Sequence, residues 1–409
     1  MKRLFLTAAL VASCASIAAA NDIVVKANKI VTMNASDQVI DNGVIVIDGK
    51  TGRIKAMGEQ GDIALPKGAT VHDLGQRWLV PGLIDCHDHV AGSLRDLNDG
   101  VWLTNPGLRT VDALDPKNDN LKNALAGGVT TVLLIPGSGT NMSGFGTVSK
   151  TAGETVKEMT MRAPGSLKIA QAGNPERYWF GVGRSYMNYN LRQTLEKAQT
   201  YNERWKAWEK NRQGKKPEKS LVWEGFRGLF EQVFPVSVHT QMYQVVHKTL
   251  VMLHDKFKLR VVLDHSTFDG YKTAALIKER PSVYTIVGPR QYFFDRTERR
   301  IIGCAQRYYQ QGIRKLGINT DAPVVPQEEL TLQATIGARL GLDPYVALKG
   351  LTIMPARALG VDKLVGSLEV GKVADIGVWT GDPIDPRHAC LKTFVNGKLV
   401  YDAKKKRRF

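Results

Sequence analysis

Cysteine is scarce in this sequence, with only four cysteines among 409 residues. One of them, Cys14, lies in an N-terminal stretch that we expect to be removed. The other three, Cys86, Cys304 and Cys390, are too few and too widely separated for the disulfide framework of a small secreted scaffold, although one pair could still form a bridge. After the N-terminus the chain also lacks any uninterrupted run of ~18 apolar residues, so no membrane span is expected in the mature protein.

Acidic residues are outnumbered, because 39 Asp and Glu face 56 Lys and Arg and give a formal net charge of +17. Part of this excess lies in "KKKRR" at 404–408, inside a basic tail over 403–409. Such a tail can contact nucleic acid or an anionic membrane surface. No aromatic residues are interleaved with these charges, and no nucleic-acid-binding motif is found. We therefore interpret the charge as a solubility feature and expect no nucleic-acid partner.

The first twenty residues have the order of a secretory signal peptide. A basic pair is followed by mostly apolar or small residues, and three alanines at 18–20 offer a cleavage site. This pattern predicts a mature chain that begins at Asn21 and is exported, with the periplasm as the expected location. The alternative is a lipoprotein anchored through Cys14, because the residues before it resemble a lipoprotein cleavage box.

The two ends of the mature chain have similar composition. Short Val- and Ile-rich runs separated by turn residues fill 21–79 and occur again over 360–402. The Asn396-Gly397 pair is a strong signal for a tight hairpin. These ends predict one small β-sandwich domain built from both terminal segments.

The segment between them, 80–359, alternates strand-like apolar runs with helical stretches. The apolar spacing over 191–208 indicates one amphipathic helix. Alternation of this kind over such a length predicts an α/β fold, a (β/α)8 TIM barrel. The Gly- and Ser-rich segment 136–150 does not have P-loop spacing, and we expect it to be a barrel loop that closes over substrate.

Two histidines are separated by one residue in "VPGLIDCHDH" at 80–89. Alternate side chains of a strand point to the same face, so Asp85, His87 and His89 share one face with neighbours about 6.5–7 Å apart. Neutral imidazole is the commonest metal ligand in proteins. Histidines fall at this spacing by chance, however, so the pair alone is a weak signal.

Three further residues that can bind metal each end a strand-like run. His239 ends "FPVSVH", His265 ends "LRVVLDH" and Asp321 ends "KLGINTD". The C-terminal ends of barrel strands converge on the catalytic face. A single residue of this kind would more simply be a polar strand end facing water, but five together favour a metal site at the barrel mouth. The remaining histidines of the mature chain are expected on the surface or in packing: His72, His247, His254 and His388.

Several motifs follow one another in the order found in a known family: "VPGLIDCHDH", "GGVTTVLL", "PVSVH", "LDHSTFDGY", "INTDAP", "LTIMPARALG" and "GSLEVGKVADIGVW". With them the sequence resembles the amidohydrolase superfamily, and within it the imidazolonepropionase-like group that also contains metal-dependent dipeptidases. The resemblance extends over nearly the whole mature chain. It implies a TIM barrel with a β-sandwich, which agrees with the fold that the alternating middle segment and the β-rich ends predict.

The resemblance also implies a ligand set. His87 and His89 match the first-strand ligands, His239 and His265 the ligands of the fifth and sixth strands, and Asp321 the eighth-strand aspartate. Many relatives hold two ions bridged by a carboxylated lysine, which points to Lys168 in "SLKIAQAG"; a one-metal site with an ordinary lysine remains the alternative. The fallback carboxylates are Glu176, Glu224 and Glu231. Zn²⁺ is the expected ion, with Mn²⁺, Fe²⁺ and Co²⁺ open.

Together these features predict a metal-dependent hydrolase of carbon–nitrogen bonds in a small amide, a dipeptide or a cyclic amide. A metal-activated hydroxide would attack the carbonyl, Asp321 would act as general base, and His265 could stabilise the tetrahedral intermediate. Arg177 and Arg290, which follow strand-like runs, are candidates for holding a substrate carboxylate, and either could instead be a surface arginine. A catalytically silent relative that serves as a binding protein is the alternative function. The sequence leaves a homo-oligomer open.

Overall fold

The computed structural model describes residues 21–92 and 98–408. The predicted signal peptide, with the alternative cleavage position at Cys14, lies outside these residues. The strands, in chain order, are β1 Ile23–Val31, β2 Val39–Ile47, β3 Ile54–Glu59, β4 Thr70–Asp73, β5 Trp78–Pro81, β6 Leu83–Asp88, β7 Val129–Leu134, β8 Met142–Lys150, β9 Thr160–Ala170, β10 Val236–Thr240, β11 Val261–His265, β12 Val283–Val287, β13 Tyr292–Asp295, β14 Arg300–Gly303, β15 Leu316–Ile318, β16 Ile376–Trp379, β17 Cys390–Val395 and β18 Lys398–Asp402.

Helices cover much of the chain between these strands. The α-helices are α1 Asp119–Ala126, α2 Val156–Met159, α3 Asn174–Tyr178, α4 Arg184–Asn211, α5 Glu224–Phe230, α6 Tyr243–Thr249, α7 Ala274–Lys278, α8 Cys304–Gln310, α9 Leu330–Arg339, α10 Pro344–Lys349 and α11 Ile353–Leu359. Short 3-10 helices cover Thr110–Ala113, Phe268–Thr273 and Gln327–Glu329, and a π-helix continues α6 over Leu250–Lys256.

Both ends of the described chain contribute to one eight-stranded sheet. Its order is β18-β17-β16-β5-β1-β2-β3, and β4 also pairs with β1. The two ends meet where β5 runs antiparallel to β16. The hairpin predicted at Asn396-Gly397 joins β17 to β18, and both turn residues have the positive φ that a two-residue hairpin turn of this type requires. The terminal segments therefore associate as the sequence indicated, while the β-sandwich itself stays a prediction.

The second eight-stranded sheet forms a nearly closed barrel. Its order is β6-β7-β8-β9-β10-β11-β12-β15, and a parallel bridge between Asp88 and Ala322 links its two edges. Leu133 on β7 packs in one buried cluster with Val262 and Ile286 on the distant, adjacent strands β11 and β12, so the sheet encloses a filled interior. Cys86 belongs to the same cluster. The three described cysteines are all buried and free, so none of them bridges another.

The barrel departs from a regular (β/α)8 repeat at its third strand. Strand β8 runs antiparallel to both β7 and β9. A parallel connection needs a crossover of roughly a dozen residues or more, whereas only residues 135–141 join β7 to β8. The expectation that 136–150 is a loop closing over substrate is therefore wrong for most of that segment, because Met142–Lys150 is a buried strand.

Helix α4 is the long amphipathic helix that the apolar spacing predicted over 191–208. Its buried face includes Leu191, Leu195, Ala198 and Trp205, and this face packs on the barrel side of the molecule. The helix begins several residues earlier than the predicted span, at Arg184. In the part of the chain that the structure describes, no helix, α4 included, is both long and apolar enough to cross a membrane.

Candidate metal centre

The first barrel strand places two imidazoles at the end of the barrel where its parallel strands terminate. His87 ends β6 together with Asp88, His89 follows directly, and both rings are buried. Asp85, expected on the same face, turns to another partner: its carboxylate accepts hydrogen bonds from the Thr320 hydroxyl and from the backbone N–H of His87. The strand thus brings both imidazoles to this end of the barrel, while the carboxylate before them is hydrogen-bonded to Thr320.

Asp321 lies at the centre of the histidine cluster. Its Oδ1 is 3.2 Å from Nε2 of His87 and 3.1 Å from Nε2 of His89. Its Oδ2 is 4.0 Å from Nδ1 of His265. One ligand atom from each of His87, His265 and Asp321 can be chosen so that all three lie within 4.8 Å of one another, which is a spacing that one cation can bridge. Residues separated by more than two hundred positions thus meet at one point.

Lys168 and His239 complete the cluster. The fully buried Lys168 lies on β9 with its Nζ 3.0 Å from Nε2 of His87. The ring of His239, at the end of β10, is 4.5 Å from the ring of His265, and the ring of His265 is 4.6 Å from that of His87. All six residues that were predicted as metal ligands are therefore brought together.

Two of the imidazoles are oriented by backbone carbonyls. Nδ1 of His89 donates to the carbonyl of Ile135, and Nδ1 of His265 donates to the carbonyl of Gly288, both at 2.8 Å. A proton held on Nδ1 leaves the lone pair of Nε2 available to a cation, which is the usual arrangement of metal-binding histidines.

His239 provides the test of whether this cluster suits a metal. Its side chain is buried, and neither ring nitrogen has a hydrogen-bond partner among the described residues. Burial, with His265 as the next cause, lowers its pKa well below the ordinary value, so the ring is neutral. Buried polar groups in folded proteins are nearly always satisfied, and an orphaned one calls for an explanation such as an ion. The residues present fit a divalent metal.

The charges of the cluster suit metal binding at neutral pH. Burial lowers the pKa of His265 to about 4, so this ring is also neutral. Burial alone would raise the pKa of the Asp321 carboxyl, but its hydrogen bonds with His87 and His89 act in the opposite direction, and that pKa lies well below its ordinary value. Neutral imidazoles and an ionised carboxylate are the forms that ligate metals.

The backbone is strained where the strands end at this cluster. His265 and Asp321 have φ of 67° and 53°, in the left-handed region. Side chains other than glycine are uncommon there, although Asp and His tolerate it better than most. Strain of this kind persists where the surrounding structure holds it, often at functional sites.

A cavity of about 590 Å³ opens beside the cluster. His265 and Asp321 contribute to its lining, and so do both arginines that the sequence singled out, Arg177 and Arg290. The guanidinium of Arg290 lies 5.3 Å from the centre of the Phe268 ring. No ion pair to a carboxylate of the described residues involves either arginine, so both charges are available to a ligand. A smaller cavity of about 230 Å³, lined in part by His239 and Arg177, adjoins this one.

Comparison with known proteins agrees with this geometry. Residues 301–405 match the model of the amidohydrolase family. The chain is 26% identical over 388 residues to an imidazolonepropionase of Sphingopyxis alaskensis, covering 87% of this chain and 91% of that protein. Its fold matches the crystal structure of an amidohydrolase from Thermotoga maritima MSB8 with a TM-score of 0.79 and 25% identity, over 93% of this chain and 100% of that one. Over nearly its whole length the chain resembles the amidohydrolase superfamily.

Within the superfamily, the resemblance of the chain to the imidazolonepropionase-like group is confirmed. Another relative, amidohydrolase tasK of Hapsidospora irregularis, is 24% identical over 382 residues, which are 83% of this chain but 38% of that protein. The chain therefore spans well under half the length of this relative, while it spans most of the imidazolonepropionase.

The three fallback glutamates have other partners. Glu224 and Glu231 flank Arg227, at 3.7 Å and 3.8 Å from its guanidinium. Glu176 accepts hydrogen bonds from the Gly173 backbone at 2.8 Å and from Arg184 at 3.2 Å. The other histidines, predicted to have no part in the site, also lie outside the cluster. His72 contacts Phe394, His247 contacts Tyr243, His254 contacts Asp255 and His388 contacts Thr380.

Sequence reasoning missed one buried acidic residue of this site. Asp264 precedes His265 on β11, and its Oδ2 lies 3.1 Å from Nδ1 of His87. Burial and Lys168 act to lower the pKa of His87, but the carboxylates of Asp264 and Asp321 outweigh them and raise it. The only signal in the sequence was a carboxylate beside a predicted ligand in "LDH", which by itself does not distinguish a buried partner from a solvated strand residue.

Proposed function

We propose that this chain is a metal-dependent hydrolase that cleaves a carbon–nitrogen bond in a small amide, a dipeptide or a cyclic amide. The observation that carries the proposal is the convergence of four histidines, Lys168 and Asp321 beside one cavity, with neither ring nitrogen of the buried His239 hydrogen-bonded among the described residues. The resemblance to the amidohydrolase superfamily and the similarity to an imidazolonepropionase support the same reaction class.

We propose that the cluster holds one or two divalent ions, with Zn²⁺ preferred because of the histidine and carboxylate ligands. His87, His89 and Asp321 would hold one ion, and His239 and His265 a second. Lys168, fully buried among imidazoles, is placed to bridge two ions if its amine is carboxylated. An uncharged or anionic form is physically reasonable here, because an ammonium group is costly to bury.

A bound divalent ion supplies Lewis-acid chemistry, lowering the pKa of a water molecule from ~15.7 to ~7 and polarising a carbonyl oxygen. Asp321 accepts a proton from the attacking water and returns it to the leaving nitrogen, since its ionised carboxylate reaches both the cluster and the cavity. His265 lines the same cavity and is positioned to stabilise negative charge that develops on the carbonyl oxygen.

Arg177 and Arg290 are proposed to select substrates that carry a carboxylate. Both line the main cavity with Asp321 and His265, and a guanidinium can bind a carboxylate through two parallel hydrogen bonds. A substrate that places its carboxylate between them would have its amide bond directed towards Asp321. Replacing either arginine should then raise KM for acidic substrates more than it changes kcat.

The experiment that tests the proposal is hydrolysis by the zinc-loaded chain of matched pairs of dipeptides and N-acyl amino acids, each with a free carboxylate or a neutral amide in its place, together with cyclic amides. We expect turnover of at least one class, faster for members with a free carboxylate, and a loss of that preference in Arg290→Gln. Zinc binding without turnover of any member would favour the alternative of a silent binding protein.

Export is also proposed, from the basic and apolar start of the sequence alone. The mature protein should begin at Asn21, which N-terminal sequencing of the protein recovered outside the cytoplasm checks. A lipid-modified Cys14 would indicate an anchored lipoprotein instead. The proposed domain division places 21–79 and 360–402 in a β-sandwich domain and 80–359 in the barrel.

A further inference from the structure

Asp264 is a buried carboxylate that the proposed reaction does not use. It lies on β11 with no exposed side-chain surface, and its Oδ2 is 3.1 Å from Nδ1 of His87. Among the described residues, neither the Asp264 oxygens nor Nδ1 of His87 have a hydrogen-bond partner of normal geometry, so two unsatisfied buried groups face each other across this contact. Asp264 is absent from the lining of the main cavity, whereas Asp321 contributes to it. Asp264 therefore contacts the site through His87 and has no access to substrate.

A carboxylate in this position calls for a reason, because burial of an uncompensated charge is strongly unfavourable. The residues of β11 that precede this carboxylate, Val261 to Leu263, are apolar and buried, and the buried Cys86 thiol has its pKa raised by burial and by Asp264. A neutral side chain of similar size would fill the same space. The contact with His87 is thus the feature that distinguishes a carboxylate from any neutral residue here.

We infer that Asp264 is a positioning residue for His87. With a metal bound on the other side of the ring, Asp264 would accept the Nδ1 proton of that imidazole across the 3.1 Å contact, which fixes the ring orientation and keeps the lone pair of Nε2 directed towards Asp321 and Lys168, where the metal would lie. Carboxylates that hold metal-binding histidines in this way also increase the basicity of the ligand. The inference rests on the proposed metal centre.

His87 is distinguished by this contact from the other oriented imidazoles. His89 and His265 face backbone carbonyls at this position, while His87 faces a side-chain carboxylate. His87 is also the imidazole that contacts both Lys168 and Asp321. The strongest orienting group is therefore placed on the ligand at the centre of the cluster.

The test compares zinc affinity in Asp264→Asn with that in a matched control, Asp85→Asn. Both substitutions replace a fully buried carboxylate of the barrel by its amide, but Asp85 binds a hydroxyl and a backbone N–H and contacts no imidazole ring. We expect zinc to bind roughly 10–100-fold more weakly to Asp264→Asn, because the amide can donate to Nδ1 and select the wrong tautomer. Affinity in Asp85→Asn should stay close to that of the unmodified chain. Competition with a chelator measures both affinities, and thermal unfolding shows whether each variant is folded.

Equal zinc affinity in the two variants would overturn the inference. A crystal structure of the unmodified zinc-loaded chain decides the matter even if Asp264→Asn does not fold: His87 must bind zinc through Nε2 with Nδ1 within hydrogen-bond distance of Asp264, and binding through Nδ1 would contradict the inference. An unmodified chain that takes up no zinc would contradict the metal centre and this inference with it, whereas normal uptake with unchanged affinity in Asp264→Asn would contradict this inference alone.

Discussion

Asp321→Asn is expected to lower kcat by ~10²–10⁴-fold, the usual contribution of a general acid–base group. The carboxylate lies within 3.2 Å of two imidazoles and lines the cavity, so it is placed to take a proton from water and return it to the leaving nitrogen. An amide of the same shape can still contact a metal weakly but cannot accept that proton. Steady-state hydrolysis and bound zinc are measured on the same sample.

Asparagine suits this position for a structural reason as well. Asp321 has φ of 53°, and asparagine tolerates left-handed backbone about as well as aspartate does. The variant should therefore fold, and the loss of rate can be assigned to proton transfer. His388→Ala is the control, because His388 contacts Thr380 outside the site and should leave the rate nearly unchanged. Near-parental turnover by Asp321→Asn with zinc in place would require a different base, with His265 the next candidate.

His87→Ala and His89→Ala are each expected to lose most of the bound metal. Both rings contact Oδ1 of Asp321, so either substitution removes one nitrogen from the group that would hold the first ion. Elemental analysis of the purified chains gives the number of ions per chain, which should fall from one or two to well below one. Hydrolysis should fall with it.

Lys168→Ala separates a one-metal from a two-metal site in the same measurement. If a carboxylated Lys168 bridges two ions, the unmodified chain should carry two and the variant fewer. If Lys168 is an ordinary lysine beside His87, the number of ions should not change. His247→Ala is a suitable control because its ring stacks on Tyr243 at 6.2 Å, away from the cluster. Full metal content in both His87→Ala and His89→Ala would show that the ions bind elsewhere.

Much of the site could be predicted because its ligands follow a positional rule. His239 and His265 each end a run of apolar residues, and the carboxyl ends of parallel barrel strands meet at one face. This rule needs only the local pattern, so it brought together residues that are more than two hundred positions apart. It also placed Arg177 and Arg290 near the mouth, although nothing in the sequence showed that both would line one cavity.

What the sequence did not reveal depends on partners that a local pattern does not contain. The antiparallel direction of β8 follows from the short connection before it. Its Gly- and Ser-rich composition resembles that of a loop, but the small residues are needed for close packing in the strand. A Cβ on Gly146, for example, would lie 2.5 Å from Ile135. Asp85 and Asp264 look alike in sequence, yet one faces Thr320 and the other His87. Only the closed barrel determines which partner each carboxylate meets.

The most direct test of the metal centre is reconstitution of a stripped chain. Metal is removed with a chelator, zinc is returned in measured equivalents, and hydrolysis of the best substrate from the matched pairs is followed at each step. We expect no turnover without metal, and a recovery of turnover that reaches a plateau at one or two equivalents of zinc per chain. Asp321→Asn should recover little. Full turnover by the stripped chain, with its metal content verified as negligible, would show that hydrolysis does not depend on a metal at this site.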